Sequence, residues 1–177
     1  EGLEGVDNVL SAISLMKQRG YRRIGLEGSS FGGTCSILAA AKTHDITALA
    51  LKSPVSDYVA KTWEKYGDAT VSEWKKRGYM HYTSADGRKL KINYSVVDDF
   101  KNHDSYKASE QITIPTLIVH GDADESVPIE QSKKLLKHLA GEKKLEIIKG
   151  ADHRFTKKEH FDAMIRFISD FLIKQLR

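Results

Sequence analysis

The 177 residues predict an α/β protein, a mostly parallel sheet with helices on both faces. Two observations carry that reading. Short apolar runs alternate with longer segments whose apolar residues recur at helical spacing. The runs are apolar throughout rather than alternating, which suits parallel strands covered on both sides.

Taken in order, Val6, Val9, Leu10, Ile13 and Met16 mark a first helix, and Gly20 supplies its stop. Residues 21–28 read as a strand, and residues 31–42, rich in small and aliphatic side chains, as a helix. A second strand covers residues 46–51 and closes at Ser53-Pro54. From residue 57 to 78 the chain becomes a charged helical segment carrying Tyr58, Trp63, Tyr66 and Trp74. Residues 79–84 and 89–94 follow as two strands around Ala85-Asp86-Gly87-Arg88, where Asp-Gly is a strong hairpin signal. Alternation resumes with a strand at 116–120, a helix at 129–140 stopped by Gly141, and a strand at 145–148. A last helix presents Phe161, Met164, Ile165, Ile168, Phe171 and Leu172 on one face. The domain reading is a core of residues 1–54 and 106–177 interrupted by an insertion at 55–105.

Composition narrows the function classes. The chain is 40% hydrophobic and 29% charged with three prolines, as an ordinary globular domain is. Its net charge of +4 comes from lysines dispersed at helix ends and turns rather than from one basic stripe, which argues against a nucleic-acid partner. No apolar run approaches the ~20 residues of a membrane span. The single cysteine, Cys35, allows neither an internal disulfide nor a multi-cysteine zinc site, so the expected setting is reducing and cytoplasmic. No metal or organic cofactor is implied.

The sharpest motif is Gly28-Ser29-Ser30-Phe31-Gly32, a G-x-S-x-G between a predicted strand and a predicted helix. Such a turn lifts the central serine above the sheet, and its flanking glycines are expected to leave no room for a side chain. Ser29 is not an equal candidate, because Glu27 and Phe31 stand where its glycines would have to be. The Phe31 amide opens the following helix and is the natural first donor of an oxyanion hole. A serine hydroxyl needs a histidine to take its proton and an anion to hold that histidine. Residues 120–128 (His-Gly-Asp-Ala-Asp-Glu-Ser-Val-Pro) supply an acid after one strand, and Gly150-Ala151-Asp152-His153 a base after the next. All three segments follow strands, where the sites of open parallel sheets form. His44, His81, His103, His138 and His160 have no comparable setting and read as structural or surface residues.

These three segments resemble the signature segments of α/β-hydrolases, with the nearest similarity to the microbial esterase and cinnamoyl/feruloyl-esterase-like branch. The resemblance runs from the first helix to the last. It implies Ser30 as nucleophile, Asp124 as orienting acid, His153 as general base and the Phe31 N–H as one oxyanion donor. Asp124 stands four residues beyond the histidine of His-Gly, as the pattern requires, and Asp122 is the alternative acid, read as shaping the turn. The resemblance implies a small-molecule ester as partner. It also places the 55–105 insertion where such enzymes carry a cap. Tyr58, Trp63, Tyr66, Trp74, Tyr79 and Tyr82 then either form the cap's own core or line an acyl or alcohol pocket.

A complete member of that superfamily has further strands ahead of the first helix, including a loop with a second oxyanion donor. The chain therefore reads as a fragment whose first strand is a sheet edge. That edge would be covered by a missing N-terminal segment or by a second copy of the chain. Loss of one oxyanion donor is expected to cost on the order of 10²–10³ in rate. Glu27, inside a strand expected to be buried, has no evident partner. Competing functions are a serine carboxylesterase, a prolyl-type serine peptidase, and a catalytically idle half-domain that pairs through its edge.

Overall fold

A computed structural model describes residues 4–84 and 87–177. Helix α1 (Glu4–Gln18) leads into strand β1 (Gly25–Ser29), helix α2 (Phe31–Ala40) and strand β2 (Ala48–Lys52). Helix α3 (Tyr58–Arg77), the hairpin β3 (Tyr79–Thr83) and β4 (Lys89–Asn93), and the short helices α4 (Ser95–Lys101) and α5 (Ser105–Ser109) follow. Strand β5 (Thr116–Gly121), helix α6 (Ile129–His138), strand β6 (Lys143–Ile148) and helix α7 (Lys158–Leu176) complete the chain. The main sheet runs β1-β2-β5-β6, every pair parallel.

Side-chain alternation on the central strands divides the core in two. Leu49, Leu51 and Ile118 face Ile13, Ile37 and Leu135, under α1, α2 and α6. Ala50, Leu117 and Val119 face Phe155, Met164 and Ile168, under α7. All of β5 and the first four residues of β2 are buried, whereas the edge strands β1 and β6 are partly open. No described helix is long and apolar enough to cross a membrane.

Departures from the sequence expectations are local. Helix α1 closes in a Schellman turn: Gly20, at φ 89°, donates to the Lys17 carbonyl, and the Tyr21 amide donates to that of Met16. The chain needs several residues to leave that turn, so β1 begins at Gly25, where it meets Ala48, rather than at Tyr21. Glu27 is exposed, because β1 is an edge strand among the described residues. The expectation that it is buried is thereby corrected. Helix α6 ends at His138 because Leu139 adopts an extended ψ of 131°. The two short helices α4 and α5 were not foreseen, being too brief to show a period.

Residues 55–105 pack around a separate cluster of Val71, Trp74, Tyr94 and Val97, with Trp63, Tyr66 and Met80 against it. Asp57 caps α3 by accepting from the Ala60 amide at 2.8 Å. Gly67 (φ 71°, ψ 163°) breaks the helical path within α3. The β3–β4 pairing is antiparallel from Tyr79↔Asn93 to Thr83↔Lys89, while Ala85 and Asp86 of the expected hairpin turn lie outside the described residues. Gln131 of α6 fastens this segment to the sheet layer. Its Oε1 accepts from the Ser56 and Asp57 amides, and its Nε2 donates to the Asp57 carbonyl.

Candidate active site

The turn between β1 and α2 forces Ser30 to φ 53° and ψ −120°, a conformation that costs a non-glycine residue on the order of 1–3 kcal/mol. Three backbone hydrogen bonds hold it there. The Ser30 amide donates to the Lys52 carbonyl, and the Ser30 carbonyl accepts from the amides of Gly33 and Val55, each at 3.0 Å. A Cβ on Gly28 would lie 2.4 Å from Ser36 Oγ and 2.8 Å from the Gly32 carbonyl oxygen. One on Gly33 would lie 2.7 Å from Pro54 Cβ. Gly32 is different: a Cβ there meets no atom within 4 Å, so the expected crowding at that flanking glycine is corrected. Its direction at the start of α2 is outward, and the close approach falls on Gly28 and Gly33.

The loops after β5 and β6 are built against each other. Gly121 passes so close to Ala151 that a Cβ would lie 2.1 Å from its carbonyl oxygen. Asp122 accepts from the Gly150 amide at 2.5 Å and so ties the two turns, the role expected of it. Asp124 points the other way. Its Oδ1 accepts from the amides of Ser126 and Val127 at 2.9 and 2.8 Å. Its Oδ2 lies 2.7 Å from His153 Nδ1, and His153 Nε2 lies 3.1 Å from Ser30 Oγ. With Nδ1–H donating to the carboxylate, Nε2 is left as the acceptor for the serine hydroxyl. The structure thus brings Ser30, His153 and Asp124 into one chain of hydrogen bonds, and sets the Phe31 amide at the first position of α2 beside it.

A residue without an assigned role in the sequence stands behind the carboxylate. His120 is fully buried, with Nε2 at 3.0 Å from the Val127 carbonyl and 3.2 Å from Asp124 Oδ2, and Nδ1 at 2.7 Å from Ser132 Oγ. The Asp124 side chain is fully buried too. Burial alone would raise its proton affinity, but hydrogen bonds from His120, His153 and the Val127 amide outweigh that and hold the carboxyl far below the usual range. The only hint of His120 in the sequence is its place before Gly121, where a strand interior would otherwise be apolar.

Two half-buried lysines surround this centre. Lys52, at the end of β2, donates from Nζ to the His153 carbonyl at 2.6 Å. Lys61, in the first turns of α3, lies within the field of Asp124; burial lowers its proton affinity, as does Lys65, while Asp124 raises it. Although Glu27 is exposed as a residue, partial desolvation raises the proton affinity of its carboxyl, and Lys52 partly offsets this. Rings from α3 and α4 pack against Phe31, the residue after Ser30. Phe31 meets Phe100 edge-on at 5.6 Å and Tyr58 at 6.2 Å, and Tyr58 stacks on Phe100 at 4.5 Å. Of the aromatics singled out in the sequence, Trp63, Tyr66 and Trp74 belong to the separate cluster of this segment, and Tyr58 reaches both it and Phe31.

Known proteins share this fold. A profile of the prolyl oligopeptidase family matches residues 1–177. The chain is 24% identical over 166 residues to the uncharacterized peptidase YuxL of Bacillus subtilis, covering 90% of this chain and 23% of that protein. It is 26% identical over 153 residues to the mouse palmitoyl-protein thioesterase ABHD10, mitochondrial, covering 84% of this chain and 52% of that one. Among solved structures, Est1E from Butyrivibrio proteoclasticus superposes with a TM-score of 0.77 at 29% identity, over 96% of this chain and 68% of that chain. The chain therefore spans about a quarter to a half of these two curated relatives. Sheet order, nucleophile turn and profile agree: the chain belongs to the prolyl oligopeptidase family, within the α/β-hydrolase superfamily.

Proposed function

We propose that this protein is a serine hydrolase that cleaves carboxylic esters through an acyl-enzyme on Ser30. The observation that carries the reading is the imidazole of His153 bridging Ser30 Oγ at 3.1 Å and Asp124 Oδ2 at 2.7 Å. In the first half-reaction Ser30 Oγ attacks the ester carbonyl carbon while His153 Nε2 takes the hydroxyl proton. The oxyanion forms against the Phe31 N–H, where the start of α2 favours negative charge. Collapse expels the alcohol, which leaves with the proton held on Nε2. Water then attacks the acyl carbon, His153 takes its proton, and the acid departs as that proton returns to Ser30. Asp124 remains ionised throughout, holding the tautomer and stabilising the transient imidazolium. No metal or cofactor enters any step.

Phe31, next to the serine in the chain, with the Tyr58 and Phe100 rings packed against it, favours a small or aromatic acyl group. The neighbouring Est1E, whose structure is known with ferulic acid bound, supports the same choice. In this reading residues 55–105 are a cap that shapes the mouth. The open edge of β1 pairs with a preceding segment of the same fold or with a second copy of the chain. The buried, free Cys35 is in keeping with a reducing, cytoplasmic setting. A second reading, a prolyl-type serine peptidase, is favoured by the matched family and uses the same three residues.

A fluorophosphonate probe tests the reading directly. Adduct on Ser30 that is absent from Ser30→Ala supports it, and a folded protein that takes no label points instead to an idle half-domain. A panel of p-nitrophenyl esters against aminoacyl-anilides then separates esterase from peptidase.

A further inference from the structure

Lys52 touches both halves of the hydrogen-bonded chain at once. Its backbone carbonyl accepts from the Ser30 amide at 3.0 Å, fixing the nucleophile turn. Its side chain crosses to a loop 101 positions later, where Nζ donates to the His153 carbonyl at 2.6 Å. The same ammonium lies 5.2 Å from the centre of the Phe155 ring. Phe155 is almost wholly buried and sits at φ 54°, so the loop bends sharply just beyond the histidine. One residue on a central strand thus holds the turn bearing Ser30 by its main chain and the loop bearing His153 by its side chain.

We propose that Lys52 is a positioning residue for the catalytic histidine, keeping the loop of residues 150–156 in register with Ser30. A carbonyl grasped from a strand end cannot drift, and a 1 Å misplacement of a reacting group costs on the order of 100-fold in rate. Burial of Lys52 weakens its hold on a proton, and Asp124, Glu27 and Asp152 offset this only in part. The charged groups acting on it are Glu27 from β1, Asp124 from the loop after β5, and Asp152 from the histidine's own loop. Lys61 from α3 acts on Asp124, and His160 with Glu159 closes the α7 side near Gly150.

The effect on turnover rests on the serine-hydrolase reading, whereas the effect on the order of the histidine's loop does not. The test is therefore fluorophosphonate labelling of Ser30 and steady-state kinetics in wild type, Lys52→Met and Lys52→Arg, with amide hydrogen exchange of residues 150–156 alongside. In Lys52→Met labelling and kcat are expected to fall on the order of tenfold with KM little changed, and exchange across residues 150–156 to quicken. Lys52→Arg, which can still donate to the His153 carbonyl, should restore both. A folded Lys52→Met with wild-type labelling rate and exchange overturns the proposal. If Lys52→Met does not fold, Lys52→Gln decides on the same two readouts. A wild type that takes no label defeats the hydrolase reading alone and leaves the exchange to judge Lys52.

Discussion

The four-stranded layer and the segment of residues 55–105 are made by different physics, though they meet at one site. In the layer, β2 and β5 are buried along nearly their whole length, and neighbouring registers leave little freedom to slip. Ser30, Asp124 and His153 all sit on turns at the ends of its strands. In the segment, β3 and β4 are mostly exposed and α3 is broken at Gly67. Its cohesion comes from a small cluster around Trp74, whose indole N–H donates to the Ile92 carbonyl at 3.2 Å. Under the proposed function, the groups that react stand on the layer with the buried central strands, and the segment with its own small cluster shapes the mouth.

The sharpest way to break the comparison is to remove the chemistry and keep the frame. Ser30→Ala should lower kcat on the order of 10⁶, and His153→Ala by a similar factor, with no further loss in the double variant. Thermal melting should be unchanged, since alanine retains the strained turn. Additive losses would mean the two residues do not act together.

Next come the two cores. Ile118→Ala, at the centre of the sheet, should destabilise the whole fold by about 2–5 kcal/mol. Trp74→Ala should cost about 3–5 kcal/mol within its own cluster. Hydrogen exchange should then quicken across residues 55–105 before it does in β2 and β5. Under the proposed reading KM rises more than fluorophosphonate labelling falls. Uniform exchange in Trp74→Ala would show that the two regions open as one.

Asp124 gives the sheet side a pH signature. Its carboxyl is held below the ordinary 3.8, so it contributes stability that is present above that value. That stability is lost as pH falls through and below it. Asp124→Asn should flatten the acid side of the stability profile, measured by urea unfolding between about pH 5 and pH 2. An unchanged slope would show that the buried hydrogen bonds to Asp124 contribute little.

The smallest effects separate two glycines one residue apart. Gly33→Ala drives a methyl into Pro54 and should cost about 1–3 kcal/mol. Gly32→Ala meets open space in the first turn of a helix and should be neutral or stabilising by up to about 1 kcal/mol. Equal effects would mean that backbone strain, not crowding, governs the nucleophile turn.

Much of this was legible along the chain because it is encoded locally. Apolar runs closed by glycine and serine mark strands and turns. The tight nucleophile turn needs small residues on either side of the serine, so Gly28 and Gly33 leave a visible trace. The acid and the histidine each follow a strand, and the parallel topology implied by those strands already brings their ends together. The edge position of β1 among the described residues was expected from the family resemblance, which has further strands ahead of it.

What the tertiary structure decided concerns pairs distant in sequence. Nothing near Lys52 announces that its ammonium will reach His153, nor does anything near Phe100 announce a ring beside Phe31. His120 marks the His-Gly segment in the sequence, but only the fold shows it buried against Asp124. Glu27 looks misplaced until its strand proves to be an edge. Local sequence sets backbone preference and the period of burial, whereas a side chain's partner depends on which loop the packed sheet delivers to it. That choice belongs to the assembled chain.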